Sequence, residues 1–242
     1  MKIISDMHTH TLVSHHAYST VKDICQQAFD VGLSAVAITD HAYGMSDAAN
    51  NWYFGSMWVI PRRLCGVYVI RGAEANIMDY SGSIDLTLSD QKKLDYIVSS
   101  LHEYCLKPGC AEAHTRAYEG IIENPYVDAL GHPGDLPFPF DYEYIVKMCS
   151  RYGKSIEFNV HAMRKSPASI PVYRMLARLC AKYGTKIVVS SDAHFHTEVG
   201  DFGLVSNMLD ELHFPSELVL NGNLDTLLGY INSKETVREK FE

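Results

Sequence analysis

A chain of 242 residues with 47% hydrophobic and 21% charged residues can fill one large core, and its formal charge of −8 argues against broad non-specific binding to nucleic acid. No apolar run approaches the roughly 18 residues of a membrane span, and the start Met1-Lys2-Ile3-Ile4-Ser5-Asp6 turns polar before any signal-like segment develops. Six cysteines make no CxxC pair, which in a chain of this size reads as reduced thiols of a cytoplasmic protein. No low-complexity tract or Pro/Gly/Ser linker divides the sequence, so residues 1–242 read as a single domain.

Short β-branched runs alternate with segments of helical period. Strands are predicted at 2–7, 35–39, 67–72, 96–100, 129–131, 155–158 and 186–190. Most are apolar on both faces, as in Ser34-Ala35-Val36-Ala37-Ile38-Thr39, the mark of a buried parallel sheet. Helices are predicted at 20–31, capped by Ser19 or Thr20 and stopped by Gly32, and at 141–152 and 169–183, each followed by a glycine. Two more, 204–212 and 224–232, close the chain, and 50–66, with Trp52, Trp58 and Pro61-Arg62-Arg63, reads as a further helix with Arg62-Arg63 on its solvated face. Both tryptophans read as core or loop packing, and residues 76–86 as a small hairpin. Strand-helix alternation of this kind fits a doubly wound open sheet or a closed barrel equally well.

The residues that end the strands carry the chemistry. They read Asp6-Met7-His8-Thr9-His10, Thr39-Asp40-His41, Gly72-Ala73-Glu74, Ser100-Leu101-His102, Leu130-Gly131-His132, Glu157-Phe158-Asn159 and Ser191-Asp192-Ala193-His194. Residues i and i+2 of a strand point to one face, so His8 and His10 can share an ion, and Asp192 and His194 repeat the spacing. In a parallel β/α protein all carboxyl ends meet at one rim, and neutral imidazole with carboxylate is the ligand set of zinc, manganese or iron. About nine such donors exceed the four to six that one ion takes, so two or three ions are expected, with Glu74 as the bridging carboxylate.

In this order the motifs resemble the PHP (polymerase and histidinol phosphatase) domain, and within it the small stand-alone bacterial metal-dependent phosphatases of the YcdX type. The resemblance runs from Asp6 to His194 and includes Ser14-His15-His16-Ala17-Tyr18-Ser19, Arg71-Gly72-Ala73-Glu74 and Gly131-His132-Pro133-Gly134. It implies an α/β fold, a distorted (β/α)7 TIM-like barrel, with three divalent ions at the carboxyl rim: zinc, or manganese or iron. By resemblance His8, His10, Glu74 and Asp192 hold the first ion, Glu74, His102 and His132 the second, and His16, His41 and His194 the third. Two histidines precede Ala17-Tyr18-Ser19 where the family has one, and alignment on that tripeptide selects His16 over His15. After Glu157-Phe158-Asn159 the family's polar run is replaced by Val160-His161-Ala162-Met163, which alters the expected substrate contacts.

Three divalent ions with Glu74 and Asp192 leave about +4, a pocket suited to a phosphate dianion in an otherwise acidic protein. The expected reaction is phosphomonoester hydrolysis on a small metabolite by a metal-bridging hydroxide, with Glu74 and Asp192 as catalytic carboxylates. His161 is expected to protonate the leaving alkoxide, Arg164 and Lys165 to bind the phosphate oxygens, and Asp6 and Asp40 to orient imidazoles. Loops 47–55 and 160–171 are expected to choose the substrate, and Glu103 has no assigned role. A phosphodiesterase or 3′-exonuclease is the nearest alternative. An amidohydrolase-like hydrolase is another, but it expects a carbamylated lysine, and Lys92 and Lys93 precede the fourth strand rather than follow a middle one. Neither nucleic acid nor membrane is expected as a partner, and the oligomeric state is not written in the sequence.

Overall fold

A computed structural model describes every residue except 47, 48, 236, 238 and 242. Its strands are β1 (Ser5–Asp6), β2 (Ala35–Ile38), β3 (Arg63–Leu64), β4 (Val67–Asn76), β5 (Tyr96–Ser100), β6 (Ala129–Leu130), β7 (Ser155–Asn159) and β8 (Ile187–Ser190). The helices are α1 (Val21–Asp30), α2 (Tyr53–Ser56), α3 (Leu88–Gln91), α4 (Ala111–Glu123), α5 (Tyr142–Tyr152), α6 (Val160–Lys165), α7 (Ile170–Tyr183), α8 (Gly203–Glu211) and α9 (Leu224–Ser233). Seven strands run parallel in the order β1-β2-β4-β5-β6-β7-β8, and β3 pairs antiparallel with β4. Just past β1 and β8 the sheet returns on itself: Asp192 N donates to His8 O at 2.9 Å, and His10 N to Ala193 O at 2.9 Å. The result is a barrel-like parallel sheet wrapped by helices.

Alternation along the strands sorts the apolar side chains into two clusters. Ala35, Ala37, Tyr96, Val98, Ala129 and Val188 pack together with Leu227, Leu228 and Ile231, so α9 closes the interior of the barrel. Val36, Ile38, Ile97, Leu130, Ile187 and Val189 face the surrounding helices. Each large apolar side chain buried this way contributes roughly 1.5–3 kcal/mol. β4 extends beyond its predicted end because its first half pairs with β2 and its second with β5, which carries Glu74 through the sheet.

Caps behave as the sequence indicates at several ends. Thr20 and Asp23 form a reciprocal capping box at α1, the Asp141 side chain accepts from Tyr144 N at α5, and Gly153 and Gly184 end α5 and α7 at φ 68° and 69°. Three segments differ. Residues 50–66 hold the single turn of α2, a short 3-10 turn and β3, and Pro61 precludes the long helix expected there. Trp52 and Trp58 are 80% and 73% exposed rather than packed. α4 has no predicted counterpart, and the start of the substrate loop 160–171 is helical in α6. Part of the other predicted loop, residues 47 and 48, lies outside the described residues.

Candidate metal centre

The carboxyl end of β4 and the loops that leave the other strands bring all nine sequence-selected donors into one cluster, seven of them lining a single cavity. Glu74 stands at its centre and divides the imidazoles by its two oxygens. Oε2 lies 3.4 Å from His8 Nε2, 3.7 Å from His10 Nε2 and 2.6 Å from His41 Nδ1. Oε1 lies 3.3 Å from His102 Nε2 and 3.1 Å from His132 Nε2. Asp192 Oδ1 adds a second acid beside the first group, 3.0 Å from His10 Nε2 and 3.7 Å from His8 Nε2. On the outer side His16 Nε2 lies 3.3 Å from His41 Nε2 and 2.9 Å from His194 Nε2. His41 therefore faces Glu74 with one ring nitrogen and His16 with the other.

The nitrogens turned away from this cluster are held by acceptors. His8 Nδ1 donates to Glu157 Oε1 at 2.7 Å, His102 Nδ1 to Asn76 Oδ1 at 2.7 Å, and His132 Nδ1 to Asp135 Oδ2 at 2.9 Å. His10 Nδ1 meets Ser14 Oγ at 3.2 Å, and His194 Nδ1 meets the Asp192 carbonyl at 2.9 Å. Each contact occupies the nitrogen turned away and aims the other at the cluster, the orientation a metal ligand needs. Glu157 does more than orient one ring, since its Oε2 also accepts from His132 N at 2.6 Å. Asn159, two residues on and on the same face, donates to Glu157 Oε2 and Asp192 Oδ2 while its Oδ1 caps α6. The Glu157-Phe158-Asn159 motif thus supports the donors around it.

Asp6 and Asp40 do not play the orienting role expected of them, because neither carboxylate makes a described hydrogen bond to an imidazole. Asp6 accepts from Ser191 N and Gly200 N, and Asp40 from Thr11, Ser14 and Tyr53. Asp40 still acts at one remove, since the Ser14 hydroxyl it fixes touches His10 Nδ1 and the His41 amide. Glu157, Asn76 and Asp135 were missed as supports, although Asp135 lies only three residues past His132 in a tight turn.

Electrostatics keep the acids ionised. Burial alone would raise Glu74, yet His102, His41 and His8 hold it well below the ordinary carboxylate value. Burial likewise opposes ionisation of Asp192, and His8 and His10 reverse that effect. Burial pushes His10 well down, with His41 adding to the fall, while the acids around His8 outweigh its burial and raise it. His132 and Asp192 take positive φ values of 25° and 57°, backbone strain that surrounding contacts must hold in place.

Five donors here, His8 Nε2, His10 Nε2, His41 Nδ1, Glu74 Oε2 and Asp192 Oδ1, are buried without a hydrogen-bond partner. Each such orphan costs about 1–3 kcal/mol unless something binds it, and mixed imidazole and carboxylate donors are what divalent transition ions bind. The residues present therefore fit metal ions. Triads His8-His10-Glu74, His41-Glu74-His102 and His10-His41-His194 each bring ligand atoms within 4.8 Å of one another.

The cavity above the cluster, about 640 Å³, is walled by His161, Lys165, Ser166, Glu103, Met45 and Leu136 among others. Arg164 is a correction to the sequence reading: it does not line this cavity and pairs instead with Asp201 Oδ2 at 2.7 Å on the surface. The helical turn explains it, since 161, 162 and 165 share one face of α6 and 164 lies roughly 105° from its centre. His161 does reach the cavity, its ring 5.1 Å from that of His194. His114 is a structural histidine, bonded to Gly109 N and Pro139 O.

A buried cage of imidazoles and two carboxylates at the carboxyl rim of a parallel barrel defines a metal-dependent hydrolase. The PHP domain family matches residues 6–163, and the chain belongs to that family. A protein of Acetivibrio thermocellus named "Probable phosphatase" is 42% identical over 241 residues, covering 99% of this chain and 100% of its own. One from Clostridium botulinum, also named a probable phosphatase, is 39% identical over 239 residues, covering 99% and 98%. Among solved structures, the histidinol phosphate phosphatase of Lactococcus lactis, complexed with zinc, L-histidinol and phosphate, aligns with a TM-score of 0.58 at 14% identity, covering 87% of this chain and 94% of that one. A candidate histidinol phosphatase from Listeria monocytogenes aligns at 0.60 and 17%, covering 84% and 99%. At these identities the two structures establish the barrel fold.

Proposed function

We propose that this phosphatase of the PHP family is a phosphomonoesterase for small metabolites, working with three divalent ions, zinc foremost. The observation that carries the reading is the set of five buried imidazole and carboxylate atoms that face only one another, beneath a cavity that also presents a lysine. His8, His10, Asp192 and Glu74 Oε2 would hold one ion, Glu74 Oε1, His102 and His132 a second, and His16, His41 and His194 a third. Bound divalent ions supply Lewis acidity and lower the pKa of coordinated water to about 7.

The chain's own residues supply the remainder. Glu74 and Asp192, ionised by their histidine neighbours, bind and space the cations. Lys165, on the cavity wall, meets the phosphoryl oxygens turned away from the cluster, a role expected of Arg164 and Lys165 together that Lys165 alone is placed to fill. His161 faces the same space and delivers a proton from its ring N–H to the leaving alkoxide. Leu136, Pro137 and Met45 form an apolar wall for the organic part of the ester. The Lactococcus lactis protein, crystallised with L-histidinol and phosphate, supports a small-molecule ester.

Dialysis against a strong chelator should abolish hydrolysis of nitrophenyl phosphate, with zinc or manganese restoring it. Metal content below one ion per chain in fully active protein would refute the multinuclear reading. Faster cleavage of bis-nitrophenyl phosphate than of the monoester would instead favour a phosphodiesterase.

A further inference from the structure

At the amino end of β5 a second cavity of about 500 Å³ collects positive charge that the catalytic reading does not use. Arg62, expected on a solvated helix face, belongs to no helix and its side chain is only 12% exposed. It shares the cavity wall with Arg71, which is buried, and with Lys93. Asp95 is fully engaged: both its oxygens take Arg62, and Oδ2 also accepts from Arg71 N at 2.8 Å. The Arg62 Nε–H is buried and makes no hydrogen bond. Lys93 makes no ion pair within 4.0 Å among the described residues.

Among the described residues, one other acid lines this cavity. Glu239, from the segment after α9, sets Oε2 3.3 Å from Arg62 Nε and 3.2 Å from Arg71 Nη2. Its side chain is 62% exposed, so the contact is loosely held and solvent competes for it. Among the described residues that line it, three cations against Asp95 and Glu239 leave one surplus positive charge, and two when Glu239 swings out. Paired guanidinium groups with an ammonium beside them are the usual means of gripping a phosphate. Trp58 adds an exposed flat apolar face to the wall.

We infer that this cavity is a second, non-catalytic binding site for a phosphate-bearing small molecule with an aromatic or apolar group, and that Glu239 is its built-in competitor. The phosphate meets Arg62 Nε, Arg71 and Lys93 in place of the Glu239 carboxylate, and the apolar group lies on Trp58. None of the residues that line the site is among the nine donors or walls the cavity above them, so it stands whether or not that cluster works as proposed.

Trp58 emission reports occupancy once Trp52→Phe removes the other tryptophan. In metal-loaded protein at constant ionic strength, inorganic phosphate should change that emission saturably, and phenylphosphonate should do so at lower concentration. Lys93→Ala should weaken both by about fivefold with turnover unchanged, and Glu239→Gln should tighten both by about threefold. Absence of a saturable change, or superimposable titrations for the parent, Lys93→Ala and Glu239→Gln proteins, would overturn the site. Equal affinity for phosphate and phenylphosphonate would overturn the role of Trp58.

Discussion

Just before β5, β6 and β7 stand Asp95, Asp128 and Lys154, while at or just past the ends of β4, β5 and β6 stand Glu74, His102 and His132. Both sets are buried or nearly so, yet their bonding differs. Asp128 accepts from Lys234 Nζ, Tyr230 OH and Ile97 N, and Lys154 Nζ donates to the carbonyls of Asn124 and Val127. At the carboxyl end the atoms of the whole cluster face one another across 2.6 to 3.7 Å, and five of them, on His8, His10, His41, Glu74 and Asp192, have no hydrogen-bond partner outside it. Buried charge that is fully partnered holds the barrel together. Buried charge left without partners, on strained backbone, is poised for something that must arrive from outside.

The sharpest way to break this contrast is Glu74→Gln, which removes the carboxylate common to two donor groups. Hydrolysis should fall by at least about a thousandfold and metal content should drop, because Lewis-acid stabilisation amounts to several kcal/mol. Melting of the metal-free protein should change little or rise. Asp128→Ala should do the reverse: unfolding in urea should show a loss of roughly 3 to 5 kcal/mol, with turnover per folded molecule preserved. Activity lost in that variant without loss of stability would erase the distinction between the two ends.

Asp6 offers a pH test, since burial raises its pKa from 3.8 to about 6 despite the amide bonds it accepts. A carboxyl so raised favours the folded state in its protonated form. Its contribution is fully present below the unfolded value near 3.8 and is lost as pH rises through about 6, a span of about 3 kcal/mol. Parent and Asp6→Asn proteins, both metal-free, should therefore differ in their stability profiles between pH 4 and 7. The smallest expected effect is that of Glu157→Gln, which keeps an oxygen for the His132 amide but removes the charge facing His8. Metal affinity should fall about ten- to a hundredfold, measured by competition with a chromogenic chelator.

Much of this was readable before folding. β5 was placed to the residue, and α5 and α7 closely, because Asp141, Gly153 and Gly184 mark their ends through local bonds and backbone preference. α4 was overlooked because its cap, Cys110, makes no side-chain bond to the helix, so its start carries no polar signal. Its spacing of Ala113, Ala117, Tyr118, Ile121 and Ile122 was available to a periodicity count. Most of the nine candidate donors stood out through histidines and acids recurring at strand ends, and His16 through the resemblance, whereas their supports did not, since Glu157, Asn76 and Asp135 are ordinary polar residues until the rings they hold are in place.

The sequence by itself marked most of the candidate donors as histidines and acids at or just past strand ends, because strand period and the direction of parallel strands are local properties that every residue carries. Only the tertiary structure decided how Glu74 divides its imidazoles between two oxygens, why Lys165 rather than Arg164 faces the cavity, and that Arg62 is buried beside Arg71. Those outcomes depend on contacts between residues far apart in the chain, where angles and a few ångströms select the partner and no local pattern records the choice.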